Sequence, residues 1–282
     1  MNWSTCPNAA VFLERRQAYL REHESLNCLA WAATHRALSH TSAQPSHTFM
    51  TYGVGPTAAA HAFISLADRG IVLSRMPERA SLSLADFIDR QRITLTLVEG
   101  PEAPTQAFVK RWSETHRCNF EHVMDQGLYE IRTVQMPDLA GGRLIQAGVS
   151  ERDTLRDMVE GFAACFPDQP LSREATEARI ARHLDAGRAY LWRDARGELV
   201  SMAVIVRETP HTASISWVYT PPQHQRRGHA SRVVAVLSQA QLDAGKRACN
   251  LYTDLSNPTS NHIYSRIGYK KIAESIRVRL VV

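Results

Sequence analysis

Apolar positions along the chain recur in two rhythms, and each rhythm predicts an element. Ile215-Ser-Trp-Val-Tyr-Thr220 is a β-branched and aromatic run that stops at Pro221-Pro222, which cannot donate to a sheet ladder. From Ala230 the rhythm changes: Ala230, Val233, Val234, Leu237 and Ala240 recur at helical spacing, and Gly245 supplies a stop. This strand, loop and helix organise the second half of the chain. Around them the pattern predicts strands over Arg143–Ala147, Ala189–Asp194, Glu198–Val206, Ala213–Thr220 and Ala248–Thr253. A helix starts at Ser150 as N-cap, with Asp153 three residues on, and runs to about Ala164. The connecting segment Cys165–Leu171 carries Pro167 and Pro170, and Ser172 caps a second helix that ends near Gly187. Asn257 is a strong N-cap followed by Pro258, Gly268 ends that helix, and Lys270–Val281 holds the last strand or strands.

The first half reads as helix over Val11–Ala33, a polar loop over His40–His47 and a strand over His47–Gly53. A hairpin joins Ala60–Leu66 to Ile71–Met76 about Asp68-Arg69-Gly70. Helix over Ser83–Arg90, strand over Ile93–Val98, helix over Pro104–Thr115 and strand over Leu128–Val134 complete it. Gln135–Gly141, with Pro137 and Gly141-Gly142, is the best break between domains. The expectation is an α/β protein of two domains, residues 1–135 and 141–282. The length of 282 residues suits that number, at roughly 150 residues per domain.

Composition narrows the function classes. With 44% hydrophobic and 22% charged residues the chain reads as globular. Its closest approach to a long apolar run, Leu199–Val206, is strand length. No membrane span or secretory signal is apparent, so the cytoplasm is expected. Five scattered cysteines (Cys6, Cys28, Cys118, Cys165, Cys249) without a C-x-x-C pair argue against a disulfide framework or a zinc site, and Cys249 is expected to be a buried hydrophobe. The net charge of +5 suits an anionic cofactor; no basic run interleaved with aromatics points to nucleic acid.

The chemistry lies in the loop. Between strand and helix it is polar and basic, and it delivers backbone N–H groups to a helix N-terminus, where the dipole leaves roughly +0.5 charge. Gly228 lets a diphosphate approach the backbone, and Arg226 and Arg227 add charge. No Gly-Lys-Ser/Thr follows, so this is not a Walker A loop, and the dinucleotide Gly-x-Gly-x-x-Gly is absent too. Gln225-Arg-Arg-Gly228-His-Ala230 fits Gln/Arg-x-x-Gly-x-Gly/Ala and resembles the pyrophosphate loop of the GCN5-related N-acetyltransferases, the GNAT family. A second segment, Asn257-Pro-Thr-Ser260 through Tyr264 to Gly268-Tyr269, resembles the Asn-x-x-Ser/Ala-x-x-x-Tyr-x-x-x-Gly-Tyr/Phe that follows the family's fifth strand. Both motifs lie in order in the half that begins at Arg143. The first half resembles the family only in its order of elements. After Ile71–Met76 it reads Pro77-Glu-Arg-Ala-Ser-Leu-Ser-Leu84, without the loop. It is either a degenerate GNAT-like repeat or an unrelated α/β cap, non-catalytic in both cases.

The resemblance implies a GNAT fold, a mixed and mostly antiparallel sheet flanked by helices, in two tandem domains. It implies that two strands of the second half separate and acetyl-CoA, the cosubstrate, inserts between them. Val218, Tyr219 and Thr220 would pair with the pantetheine, and the Val218 amide would polarise the thioester carbonyl. The loop residues Gln225, Arg226, Arg227, Gly228, His229, Ala230 and Ser231 would hold the diphosphate, with Asn257 as a further cofactor ligand or only a cap. Tyr264 would protonate the leaving thiolate. The general base is not readable: His211, Glu208, Glu160 and Asp168 are the local candidates, and Trp217 either lines the acceptor pocket or fills the core. The leading reading is an acetyl-CoA-dependent N-acetyltransferase acting on a primary amine, small molecule or peptide, as a monomer or homodimer, with no nucleic-acid or membrane partner. The competing reading is a non-catalytic acyl-CoA-binding or protein-interaction module.

Overall fold

In the computed structural model, which describes residues 2–39, 45–53, 59–166 and 172–281, each half of the chain lines up short strands, several of them buried at consecutive positions because both faces are covered. The chain runs through one order of elements twice. The first pass is β1 (Trp3–Thr5), α1 (Ala9–Glu22), α2 (Cys28–Ser39), β2 (His47–Tyr52), β3 (Ala60–Ser65), β4 (Gly70–Leu73), α3 (Glu78–Arg90), β5 (Leu97–Gly100), α4 (Glu102–His116) and β6 (Asn119–Ile131). The second is β7 (Arg143–Gln146), α5 (Arg152–Ala163), α6 (Arg173–Asp185), β8 (Ala189–Arg193), β9 (Leu199–Glu208), β10 (Thr212–Tyr219), α7 (His229–Asp243), β11 (Ala248–Asp254), α8 (Pro258–Arg266) and β12 (Lys270–Val281).

Two compact units result. One comprises Met1–Leu128, Thr253–Ser256 and Lys271–Val282, the other Tyr129–Tyr252 and Asn257–Lys270. This division differs from a single break at Gln135–Gly141, because nearly all of β12 groups with the first unit. There β12 pairs antiparallel with β5, Ile276 opposite Gly100 and Val278 opposite Val98.

The first unit's sheet runs β1-β2-β3-β4-β5-β12. Period-two alternation gives it two apolar faces. Phe49 and Phe63 pack with Phe12, Leu20 and Trp31 of α1 and α2. Met50, Ala62, Ile64, Val98, Ile276, Val278 and Leu280 pack with Leu84, Ile88, Phe108 and Trp112 of α3 and α4. The second unit's sheet runs β11-β10-β9-β8-β7. Leu155, Met158 and Val159 of α5 and Ile180 of α6 cover Leu191, Met202 and Val204. α7 packs on β8, β9 and β10.

Several boundaries differ from the sequence expectation. The helix expected over Val11–Ala33 is two, broken where Asn27 N–H bonds the His23 and Glu24 carbonyls and its amide side chain bonds His23 again. β1 had no sequence signal, being three residues long. α3 begins at Glu78 rather than Ser83, β5 lies later than Ile93–Val98, and β6 begins at Asn119 rather than Leu128. Ser150 is not a helix cap. Its hydroxyl bonds Glu151, whose carboxylate reaches back to the Gly148 N–H at 2.9 Å, and α5 starts after that turn. Ser172 does cap α6, accepting from Ala175 N–H at 3.1 Å. Cys249 is fully buried, and burial pushes its thiol up to about 12.

One buried cluster makes the first unit acid-sensitive. His61 on β3 is 3% exposed, and its Nδ1 accepts from Arg16 Nε at 3.3 Å. Burial first, and the Arg16 charge second, lower its pKa from 6.5 to about 3. The unfolded chain therefore binds the extra proton. Stability is full above pH 6.5 and is lost as pH falls from there toward 3. Between pH 7 and pH 5 this site alone costs about 2 kcal/mol. Thermal melts across that range are expected to show the loss, and His61→Gln, which keeps an acceptor for Arg16, to flatten its share.

Candidate functional site

The ladder between β10 and β11 is parallel and short: Thr212, Ala213 and Ser214 pair with Ala248, Cys249 and Asn250, and pairing stops there. Ser214 Oγ donates to Asn250 Oδ1 at 2.7 Å, and Asn250 Nδ2 reaches Thr212 Oγ1 at 3.3 Å. Both Ser214 and Asn250 are buried, so this polar clasp closes the strands at the last paired residue. Beyond it β10 continues through Ile215 to Tyr219 with β9 alone as its ladder partner among the described residues. There its register shifts, Ser216 facing Val204 and Tyr219 facing Met202, which is one residue too many on β10. The extra residue is a β-bulge, and Trp217 within it has φ of +51°. A non-glycine residue in the left-handed region is uncommon, and such positions gather at functional sites.

The end of β10 is held firmly. Ser201 Oγ bonds the Tyr219 carbonyl at 3.0 Å and the Thr220 hydroxyl at 2.9 Å, and Gln225 Nε2 donates to the Thr220 carbonyl at 3.0 Å. The Gln225 amide is thus spent on the strand end. The Tyr219 ring lies against α5 at Gly161, where a Cβ would sit 2.5 Å from its hydroxyl. That contact explains a glycine inside a helix, a residue that costs roughly 1 kcal/mol relative to alanine. Trp217 is half-buried, and His183 of α6 meets its ring edge-on at 5.1 Å. Burial first, then Arg182, Arg188 and Arg179, push His183 down to about 4, and its buried Nδ1 has no partner among the described residues. Sequence reasoning missed His183 and the Ser214–Asn250 clasp. The one signal for the clasp was a polar residue among apolar neighbours in each strand.

The loop then turns through Pro222–His224 to α7. Arg226 at φ +60° and Gly228 at φ +78° are left-handed while Arg227 between them is not. Such alternation of hand turns successive N–H groups to one side. Gly228 is the N-cap of α7 and no side chain caps the helix, so the first-turn amides of His229, Ala230 and Ser231 keep no intrahelical acceptor. Arg226 and Arg227 are exposed. His229 is buried, and burial followed by Arg232 lowers its pKa, leaving a neutral imidazole.

Asn257 Oδ1 caps α8 by accepting from Ser260 N–H at 3.1 Å. Tyr264 on α8 is 8% exposed, its ring 6.0 Å from that of Tyr269, and burial pushes its phenol up to about 12. It is therefore protonated at neutral pH. The Tyr269 hydroxyl bonds Ser238 of α7 at 2.8 Å, which fixes this aromatic pair against α7. Of the candidate bases, Glu208 is engaged by Arg188 and by Lys246. Glu160 is exposed on α5, His211 lies in the β9–β10 turn, and Asp168 falls outside the described residues.

The first unit differs at the matching place in its strand ends and its loop, although α3 likewise has no side-chain cap at Pro77. β4 pairs with β5 over Gly70–Leu97, Ile71–Val98 and Val72–Glu99, a ladder as short as that of β10 with β11, and the difference lies at the next residues. A Cβ on Gly100 would sit 2.8 Å from the Leu73 side chain, so the strands close where β10 and β11 part. β3 and β4 pair without a bulge, and only residues 74–77 lead to α3, whose first turn carries Glu78. A carboxylate there opposes an anion.

Residues 195–278 match the family model described as FR47-like protein. No curated protein sequence matches the chain. Among solved structures, a Drosophila protein determined by structural genomics superposes with a TM-score of 0.68 at 14% identity, covering 99% of this chain and 98% of that one. A GCN5-related N-acetyltransferase from Sphaerobacter thermophilus gives 0.62 at 16% identity, covering 98% and 95%. A GNAT-family acetyltransferase from Colwellia psychrerythraea gives 0.56 at 12% identity, covering all of both chains. The fold is therefore that of the GCN5-related N-acetyltransferases, carried as two tandem GNAT-like domains over nearly the whole chain.

Proposed function

We propose that the protein is an acetyl-CoA-dependent N-acetyltransferase that acts on a primary amine through its second unit. The observation that carries this reading is the parting of β10 from β11 beyond Ser214–Asn250, with a bulge and an uncapped helix N-terminus directly after it. The residues suit a thioester of a diphosphate. Gly228 leaves the loop open, nothing lying closer than 3.6 Å to where its Cβ would stand, and Arg226 and Arg227 supply charge at the surface. Acetyl-CoA supplies the acetyl thioester, whose carbonyl carbon a primary amine attacks directly as the carbon–sulfur bond breaks.

The chain's own groups support that transfer. The loop amides and the N-terminus of α7 hold the diphosphate. Backbone groups of Val218, Tyr219 and Thr220 extend alongside the pantetheine, and the Val218 N–H polarises the thioester oxygen. Tyr264 gives its proton to the departing sulfur, and the amine's proton leaves to water. Tyr264→Phe is expected to lower kcat by roughly a hundredfold while acetyl-CoA affinity holds within about twofold. Pre-steady-state and binding measurements on one preparation check this, and unchanged turnover at all pH values removes Tyr264 as the acid.

The engagement of Glu208 in ion pairs favours a second reading, an acyl-CoA-binding module without turnover. A panel of small amines and peptides, assayed for release of CoA thiol together with an acetylated product, separates the two. Amine-dependent release supports the enzyme; tight acetyl-CoA binding without release across the panel supports the module. In either case we infer that the first unit is non-catalytic.

A further inference from the structure

Resting on the reading of residues 221–231 as a diphosphate loop, we propose that Arg232 is the positioning residue that sets this loop for its ligand and anchors it to the turn before β7. Arg232 lies in the first turn of α7, where a cation opposes the helix dipole. Among the described residues no carboxylate pairs with it. Its guanidinium is engaged instead by two carbonyls, Nε donating to Asp138 O at 2.7 Å and Nη1 to Arg227 O at 2.6 Å, and Nη1 also lies 3.5 Å from His229 Nδ1. It also lies beneath Gly228, 3.6 Å from where a Cβ would stand.

The consequence follows from the planarity of the peptide. In a trans peptide C=O and N–H point in opposite directions. With the Arg227 oxygen drawn toward Arg232, the N–H of Gly228 is turned to the other side of the loop. Residues 223 and 225–228 are exposed, so side-chain ties of this kind matter for their order. The other carbonyl supplies a rigid anchor. Asp138 Oδ1 accepts from Ala140 N–H at 2.9 Å, closing a turn, and Gly142 abuts the buried Trp192 indole so closely that a Cβ would sit 2.5 Å from its Nε1. Arg232 links that fixed turn to the loop, so the loop is ordered before the ligand arrives, which reduces the cost of binding.

The test uses the full chain and two ligands, acetyl-CoA and acetyl-pantetheine, the second lacking the diphosphate, titrated by tryptophan fluorescence. Arg232→Met is expected to weaken acetyl-CoA roughly tenfold to a hundredfold and to leave acetyl-pantetheine unchanged. Arg232→Lys is expected to restore part of this loss, because one ammonium lacks the guanidinium's fixed fork. Equal affinity of Arg232→Met and wild type for acetyl-CoA overturns the proposal. Equal weakening of both ligands overturns it as well, since that marks general damage, and full restoration by lysine assigns the effect to charge alone. Failure of the wild type itself to bind acetyl-CoA overturns the loop reading, and the positioning role with it.

Discussion

Gly228→Asp is expected to abolish the stabilisation that saturating acetyl-CoA gives the wild type. In the empty protein the change is mild. The left-handed backbone at φ +78° costs a non-glycine residue roughly 1–2 kcal/mol, and aspartate tolerates it better than most. Its Cβ would meet nothing closer than the Arg232 guanidinium at 3.6 Å. Binding is another matter, because the new carboxylate would stand where the proposed diphosphate site has its loop amides. One like-charge pair at 4 Å and an effective dielectric of 20 costs about 4 kcal/mol, roughly a thousandfold in affinity. Melting curves with and without acetyl-CoA read this directly, since a ligand that binds only the folded state raises Tm. Gly228→Ala shares the backbone strain without the charge and is expected to keep most of the shift. Equal stabilisation of Gly228→Asp and wild type would sink the loop assignment.

Removal of Lys271–Val282 is expected to unfold the first unit. β12 is the partner of β5, and Ile276, Val278 and Leu280 are buried in that unit's larger core. Burial of three such side chains contributes about 5–9 kcal/mol, of the order of a whole domain's stability. Glu99 would also lose Arg277, whose Nη2 lies 2.8 Å from its carboxylate. Deleting residues 1–135 does the reverse and leaves the same β12 side chains without their core. Both truncations are expected to show exposed apolar surface by dye binding, and the shorter one to lose the first unit's cooperative melt. A soluble, fully active fragment 136–282 contradicts the account.

The parts legible in the sequence were those where one residue type has one physical use. Gly228 before a helical rhythm marked the loop, and Ser172 and Asn257 were read as the N-caps that the structure shows them to be. The element order of the second half could be read because its turns carry Gly or Pro, at Gly197, Pro221-Pro222, Gly245 and Gly268. Other features are relations between distant residues and leave no local trace. A non-glycine bulge at Trp217, the contact of Gly161 with Tyr219 and the hold of Arg232 on Asp138 are of this kind. β1 escaped because three residues show no period. The assignment of β12 to the first unit escaped because alternation reports a strand's burial and not its partner.

The central claim is that the second unit holds acetyl-CoA by its diphosphate at the end of β10. Calorimetric titration of the purified full chain with acetyl-CoA tests it most directly. The expected result is saturable binding at one site per chain, competed by CoA and lost in Gly228→Asp. Absence of heat and of competition at millimolar acetyl-CoA would contradict the claim, leaving a GNAT fold whose parted strands serve another ligand.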